Sequence, residues 1–323
     1  MKTNRALVTG GAGFIGSHIV EALLKEGCEV IVLDDLSSGR IENISSYMNC
    51  RGFSFLEGSI LDGSLVREAM KDVDVVYHQA AIRSVPKSVE MPSVVNEVNV
   101  TGTLTLLNEA LAGGVERFIY ASSSSVYGES PTLPKREGLP TVPASPYGTS
   151  KLAAEHYCRV FNKIYGLKTV SLRYFNVYGP RQTYGPYSGV IILFLGRALR
   201  GEPPVILGDG DQTRDFTHIS DVVLANLLAL RLDSAIGEVL NVGTGRQTSI
   251  NSLARMILEL TGRTDLSPLY DSPRPGDIKH ALADISRAKE LLGYEPKVSL
   301  YQGLAELVRW YQGPGSDFYL DGA

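Results

Sequence analysis

Through the first half of the chain, short apolar runs rich in β-branched and aromatic residues alternate with stretches of helical periodicity. The runs Arg5–Thr9, Glu29–Leu33, Phe53–Leu56, Val73–Tyr77, Arg117–Tyr120 and Thr169–Arg173 predict strands. Between most of them, Ile15–Lys25, Ser64–Lys71, Val94–Ala112 and Lys151–Tyr165 carry apolar residues at helical spacing. Repeated β-α-β alternation predicts an α/β fold, a doubly wound parallel sheet with helices on both faces, over residues 1–176. Such sheets bind ligands at the carboxyl ends of their strands, where the strand order reverses.

The pattern changes near Val177. Glycine, proline and tyrosine become frequent and strands fewer, which predicts a smaller mixed α/β lobe over 177–312. Its helices are expected at Val190–Arg200, Ser220–Arg231, Ile250–Thr261, Ser286–Leu292 and Leu300–Tyr311. The stretch Gly237–Gly243 reads as one more strand, returning to the large sheet. Residues 313–323 form a polar, Gly-containing tail expected to be poorly ordered.

Composition narrows the functional classes. The chain has 323 residues, 44% of them hydrophobic and 20% charged, with a net charge of −4. That balance argues against a basic nucleic-acid footprint. The longest apolar run, Val190–Leu195, is too short to span a bilayer, and the N-terminus lacks the apolar region of a signal peptide. Three scattered cysteines without C-x-x-C spacing predict reduced thiols and a cytoplasmic protein. Five histidines without H-x-H or H-E-x-x-H spacing give no reason to expect a metal.

The chemistry sits in three blocks. In Thr9–Gly16, TGGAGFIG, the glycines Gly10, Gly13 and Gly16 lie between a predicted strand and a predicted helix. They suit a tight turn, a close backbone approach to a pyrophosphate, and helix–strand packing, with the helix N-terminus facing the phosphates. Asp34 follows Gly16 by 18 positions and ends the next strand. A carboxylate there accepts hydrogen bonds from ribose hydroxyls and repels a 2′-phosphate, so NAD is favoured over NADP. Asp35 and the turn Ser37-Ser38-Gly39 are expected to close around the same ribose.

The second block is YGTSK, Tyr147–Lys151. Its spacing puts a phenol and an ammonium on one helical face, where the cation favours phenolate. The third is ASSSSVYG, Ala121–Gly128, four serines directly after a strand. Serine clusters mark turns. At the carboxyl end of a strand facing a dinucleotide, one hydroxyl also suits the oxygen whose proton Tyr147 removes.

Together with VLDDLSSG, HQAA, NVTGT, RYFNVYGPRQ, GDGDQTRDF and RPGDIKH, these blocks resemble the extended short-chain dehydrogenase/reductase family, and within it the UDP-sugar 4-epimerases. The resemblance implies a Rossmann-type domain, bound NAD, a UDP-sugar substrate and a homodimer. It implies Ser123, Tyr147 and Lys151 as the catalytic set. Tyr147 would take the 4-OH proton while the C4 hydride moves to NAD and later returns to the other face of the sugar. It further implies NAD contacts from Gly10, Gly13, Phe14, Ile15, Gly16, Asp34, Asp35, Leu36, Ser38, Gly39, Ser59, Ile60, Gln79, Ala80, Ala81, Asn99, Tyr147, Lys151 and Tyr174. Ser59 stands where many relatives have Asp.

For the UDP-sugar the resemblance implies Ser84, Ser123, Ser124, Asn176, Val190, Val205, Arg214, Arg274, Asp277 and Ala281. Nucleotide-sugar dehydratases carry Asp-Glu at the positions of Ser124 and Ser125, and decarboxylases typically keep a Glu at Ser125. Lacking these acids, the chain is expected to epimerise UDP-glucose and UDP-galactose. Ala281 occupies a position where a bulky tyrosine restricts some relatives to plain hexoses, so UDP-GlcNAc and UDP-GalNAc are expected to fit as well. Arg83 replaces a glycine expected in the N-acetyl subgroup and suits a carboxylate, which leaves UDP-glucuronate 4-epimerisation, and more distantly a lyase reaction, as alternatives.

Overall fold

Along β1 (Arg5–Thr9), Ala6 and Val8 enter one apolar core while Leu7 enters another on the opposite face of the sheet. The same alternation continues in β2 (Glu29–Asp34), where Val30 and Val32 face one way and Ile31 and Leu33 the other. A strand buried on both faces needs an unbroken apolar run, and this is the sequence it has. The computed structural model describes residues 5–183, 188–273 and 278–316.

The other strands of this sheet are β3 (Phe53–Glu57), β4 (Val75–His78), β5 (Arg117–Ser123), β6 (Thr169–Tyr174) and a seventh, Val239–Val242. The spatial order is Val239–Val242, β6, β5, β4, β1, β2, β3, with every neighbour parallel. The chain order reverses between β1 and β4, so the ligand crevice opens above Thr9 and His78. One face is covered by α1 (Phe14–Lys25) and by helices from the second half of the chain. The other carries α2 (Gly63–Ala69), and, after two short helices α3 (Val85–Glu90) and α4 (Pro92–Asn96), also α5 (Gly102–Ala112) and α6 (Pro146–Tyr165).

The second half adds α7 (Val190–Leu199), α8 (Ile219–Arg231), α9 (Ile250–Leu260), α10 (Ser286–Leu292) and α11 (Leu300–Tyr311). In α9, Ile250, Leu253, Ala254, Ile257 and Leu258 repeat at helical spacing and bury against α7 and α11 in a separate apolar core. Each such aliphatic side chain removed from water stabilises by roughly 1.5–3 kcal/mol. Helices α8 and α10 instead pack on the large sheet.

Four local differences from the sequence reading bear on the site. β5 does not stop at Tyr120: Ala121, Ser122 and Ser123 pair with Leu172, Arg173 and Tyr174 of β6, so three of the small residues belong to the strand. The helix expected over Val94–Ala112 begins at Pro92 and contains a π turn, Glu97–Thr101, that aims Asn99 into the protein. α6 starts five residues before Lys151, at Pro146, capped by Ser145, whose Oγ accepts from Gly148 N. Three two-stranded ribbons, among them Thr213–Arg214 with Thr248–Ser249, are too short to leave a periodic signal. Residues 317–323 of the expected tail lie outside the described residues.

Candidate active site

The first part of the site lies where β1 turns into α1. Gly10 has a φ of +67°, and a Cβ there would stand 2.7 Å from the Ala80 amide nitrogen, so the turn tolerates no side chain. Gly13 is the N-cap of α1, no side chain caps that helix, and its first turn carries no acid. Its first amides therefore face the crevice with the positive end of the helix dipole, which suits a diphosphate. Gly16 packs against Gly10, while Phe14 and Ile15 form part of the wall.

Asp34 ends β2. Its carboxylate accepts hydrogen bonds from Ala12 N and Leu36 N at 2.9 Å each. Burial raises its pKa, and the amides that hold it oppose that shift. Gly39 crosses directly above this carboxylate, and Leu36 takes a φ of +55° to bring its amide into reach. Asp35 turns away to bind Ser37, and Ser38 is exposed. Ser59 accepts from Leu61 N, and Ile60 is buried against Gly102. Gln79 reaches the Tyr174 hydroxyl at 3.3 Å, with Ala80 and Ala81 next in the chain. Asn99 spends its amide on both backbone groups of Ile82, at 2.8 and 3.0 Å, and on Ser150 Oγ at 2.9 Å. It therefore holds the loop after β4 to α6. An uncapped helix start, a carboxylate at the neighbouring strand end and a glycine cradle are the shape and charge that NAD requires.

The second part lies at the ends of β5 and α6. Strand alternation separates the serines. Ser122 Oγ turns to Glu155 at 2.7 Å, within a buried pair that Arg173 completes by donating to both Glu155 oxygens at 2.9 and 2.7 Å. Ser123 faces the other way, onto the cavity wall that it shares with Tyr147. Its Oγ also accepts from Ser125 N at 3.1 Å, which fixes the turn Ser124–Tyr127. A Cβ at Gly148 would stand 2.7 Å from the Ser125 carbonyl oxygen, so this glycine is what lets α6 bring Tyr147 close to Ser123.

Lys151 is buried, and its Nζ donates to the Ala121 carbonyl at 2.8 Å, 5.0 Å from the centre of the Tyr120 ring. Burial pushes its pKa down to about 7. The phenol of Tyr147 is pushed up by burial, and the Ser123 hydroxyl and the charge of Arg83 pull it back. Lys151, one turn along α6 from Tyr147, directs its Nζ to the Ala121 carbonyl of β5.

Beside these groups opens a cavity of about 480 Å³. Phe14, Ile15, Ser123, Ser124, Tyr147, Tyr174, Asn176, Val190, Val205 and Arg214, all expected from the sequence, share its wall. Ser84 and Ala281 do not: Ser84 caps α3 by accepting from Lys87 N, and Ala281 N donates to Thr213 O beside Arg214. Arg274 and Asp277 lie outside the described residues. The wall also includes Gln182 and Gln212, which stand inside the blocks RYFNVYGPRQ and GDGDQTRDF and were therefore within reach of the sequence, and Leu207 just before the second block. Phe216 ends the second of these blocks, and Phe194 left no comparable signal. Among the described lining residues the charged ones are Arg83 and Arg214, with no Asp or Glu. No group of three or more His, Cys, Asp or Glu suited to a metal occurs among the described residues.

A family model described as the NAD dependent epimerase/dehydratase family matches residues 6–243. The chain is 40% identical over 310 residues to UDP-glucose 4-epimerase of Mycolicibacterium smegmatis, across 95% of this chain and 98% of that one. Its structure is similar to that of UDP-glucose 4-epimerase from Thermotoga maritima with UDP-glucose, with a TM-score of 0.91 and 44% identity, covering 96% and 99% of the two chains. It is also similar to UDP-N-acetylglucosamine 4-epimerase from Methanobrevibacter ruminantium in complex with UDP-N-acetylmuramic acid, with a TM-score of 0.92 and 40% identity, covering 97% and 100%.

Proposed function

The chain belongs to the NAD dependent epimerase/dehydratase family, and we propose that it interconverts the two C4 epimers of a UDP-hexose. One observation carries this reading within a family that also contains dehydratases. Ser123 and Tyr147 stand together on the wall of a cavity whose described lining residues include no carboxylate. Elimination across C5 and C6 needs a second acid/base pair, and Ser124 and Ser125 stand where dehydratases carry it. Proton removal from one hydroxyl needs a single base held by a hydrogen-bonding partner.

In this reading Tyr147 takes and returns the proton of the 4-OH, and Ser123 holds that oxygen. NAD supplies a reversible acceptor for the C4 hydride. Lys151, anchored on the Ala121 carbonyl, stands beneath Tyr147 where it can hold the nicotinamide ribose. Asp34 takes the adenosine ribose, and the start of α1 takes the cofactor diphosphate. Arg214 suits the diphosphate of the substrate, because a guanidinium matches phosphate oxygens in charge and geometry. Ala281 stands outside the described cavity wall, next to the strand bearing Arg214; the family resemblance is what favours reading its small side chain as room for a 2-acetamido group. UDP-glucose, UDP-galactose and their 2-acetamido counterparts are therefore the proposed substrates.

We also propose a cytoplasmic homodimer. Among the described residues no helix is long and apolar enough to cross a membrane. α5 and α6 lie side by side, and the α6 surface exposes Tyr157, Val160, Ile164 and Tyr165, with Val94 and Leu111 exposed nearby in sequence to α5. Such an apolar stripe on otherwise amphipathic helices suits a second copy of the same face. The function is tested by incubating the protein with UDP-glucose and analysing the products. UDP-galactose as sole product supports it. A 4-keto-6-deoxy sugar nucleotide, or no product from any UDP-hexose, overturns it.

A further inference from the structure

Three polar side chains, those of Ser122, Glu155 and Arg173, are buried together where α6 packs on β5 and β6. Arg173 forks onto both Glu155 oxygens, at 2.9 and 2.7 Å, and Ser122 Oγ donates to one of them at 2.7 Å. Neither Glu155 nor Arg173 lines the cavity. Each member nevertheless stands one step from a group that does. Ser122 precedes Ser123 on β5 and Arg173 precedes Tyr174 on β6, and these two steps are paired in register across the sheet. Glu155 continues the α6 face of Tyr147 and Lys151 by one more turn.

Arg173 also reaches the serine turn. Its guanidinium lies 4.7 Å from the centre of the Tyr127 ring, and Tyr127 closes the turn Ser124–Tyr127. The Tyr127 hydroxyl donates to Asn241 Oδ1 at 2.7 Å, and Asn241 is the register neighbour of Arg173 on its other side. One buried pair thus touches α6, β5, β6 and the turn that follows Ser123.

We propose that Glu155 and Arg173 are positioning residues, which fix α6 against the sheet so that Tyr147 meets the oxygen held by Ser123. The inference rests on Tyr147 and Ser123 being the reacting set. Ala154, Cys158 and Phe161 of α6 enter the apolar core beneath the sheet, but apolar burial is non-directional and does not set where along its axis a helix sits. A bidentate arginine–carboxylate pair fixes distance and orientation together. Stability gives little reason for such a pair. The desolvation of two buried charges offsets much of their attraction, and well-packed apolar side chains of similar volume hold elements together as well. Exact placement is what an apolar replacement does not supply.

The test is the double variant Glu155→Met/Arg173→Met, which removes both charges together and strands neither, with Arg173→Lys beside it. Lysine keeps the charge and loses the fork. Urea unfolding should leave the double variant at or near the parental midpoint. With a UDP-hexose as substrate, kcat should fall about 10- to 100-fold in the double variant, the effect of a small displacement between reacting groups, and less in Arg173→Lys. KM and NAD content should change by less than about twofold, because neither residue lines the cavity. Parental kcat in a folded double variant overturns the inference, and so does a loss carried by KM alone. If the double variant does not fold, Arg173→Lys decides by the same split: a kcat loss at unchanged KM supports the inference and parental kcat overturns it. A parent that converts no UDP-hexose overturns the reading of Tyr147 and Ser123 itself, and this inference with it.

Discussion

Lys151 donates its Nζ to the Ala121 carbonyl at 2.8 Å, two residues before Ser123 on the same strand. The ammonium is thereby fixed under the reacting end of the cavity, at the cost of being buried. Its pKa of about 7 in the cofactor-free protein lies far below the ordinary lysine value near 10.4.

This displacement makes stability depend on pH. Between about pH 7 and about pH 10.4 the unfolded chain holds a proton on Lys151 that the folded protein has released, so stability should rise with pH. The slope approaches about 1.4 kcal/mol per pH unit within that window. Urea unfolding of cofactor-free protein should show the rise in the parent and its absence in Lys151→Met. Parallel curves would mean that the ammonium stays charged against Ala121 and the Tyr120 ring.

Removing the phenol oxygen should remove the base and little else. Tyr147→Phe is expected to lower turnover by about 10²- to 10⁴-fold with NAD and UDP binding retained. Ser123→Ala should cost less, because it removes a hydrogen bond and not the proton acceptor. Steady-state rates together with UDP titration separate the two. More than about a tenth of the parental rate in Tyr147→Phe would contradict the assignment.

Ala281→Tyr should discriminate between substrates. If the small side chain leaves room beside C2, the substitution suppresses UDP-GlcNAc epimerisation by roughly 5- to 150-fold, the rate equivalent of about 1–3 kcal/mol of overlap. UDP-glucose should change far less. Equal loss of both would assign Ala281 to its observed contact, the backbone bond to Thr213 that steadies the Arg214 ribbon.

Ile164 is 67% exposed on α6, close to Val160 and Tyr165. If this face joins two copies, Ile164→Glu buries a charge in the interface and shifts sedimentation from dimer to monomer at micromolar protein. An unchanged profile, or a parent that is already monomeric, would remove this face as the contact.

The strands were legible because burial on both faces demands apolar runs, and the glycine loop because a turn, a close approach and a helix start each restrict the residue. Which serine faces the cavity was legible through the family resemblance and not through periodicity. Ser122 and Ser123 differ only in which side of β5 they occupy, and that depends on register against β6. Gly148 drew no reading within YGTSK, yet a Cβ there would meet the Ser125 carbonyl oxygen at 2.7 Å, so it sets how closely α6 approaches the serine turn. The π turn that directs Asn99 to Ile82 and Ser150 left no periodic signal. Helical spacing puts Lys151 on the same face as Tyr147 without revealing that its long side chain continues to Ala121. Arg83 reaches the cavity wall from a loop without periodicity.

The central claim is that NAD held by this chain, together with Tyr147 and Ser123, inverts C4 of a UDP-hexose with no net oxidation. It is tested most directly by giving UDP-galactose to purified protein without added cofactor, following UDP-glucose, and then denaturing the protein to assay released NAD. UDP-glucose should form to equilibrium in the parent and not in Tyr147→Phe, with NAD released from both. No conversion by an NAD-containing parent, or conversion that persists in Tyr147→Phe, would contradict the account.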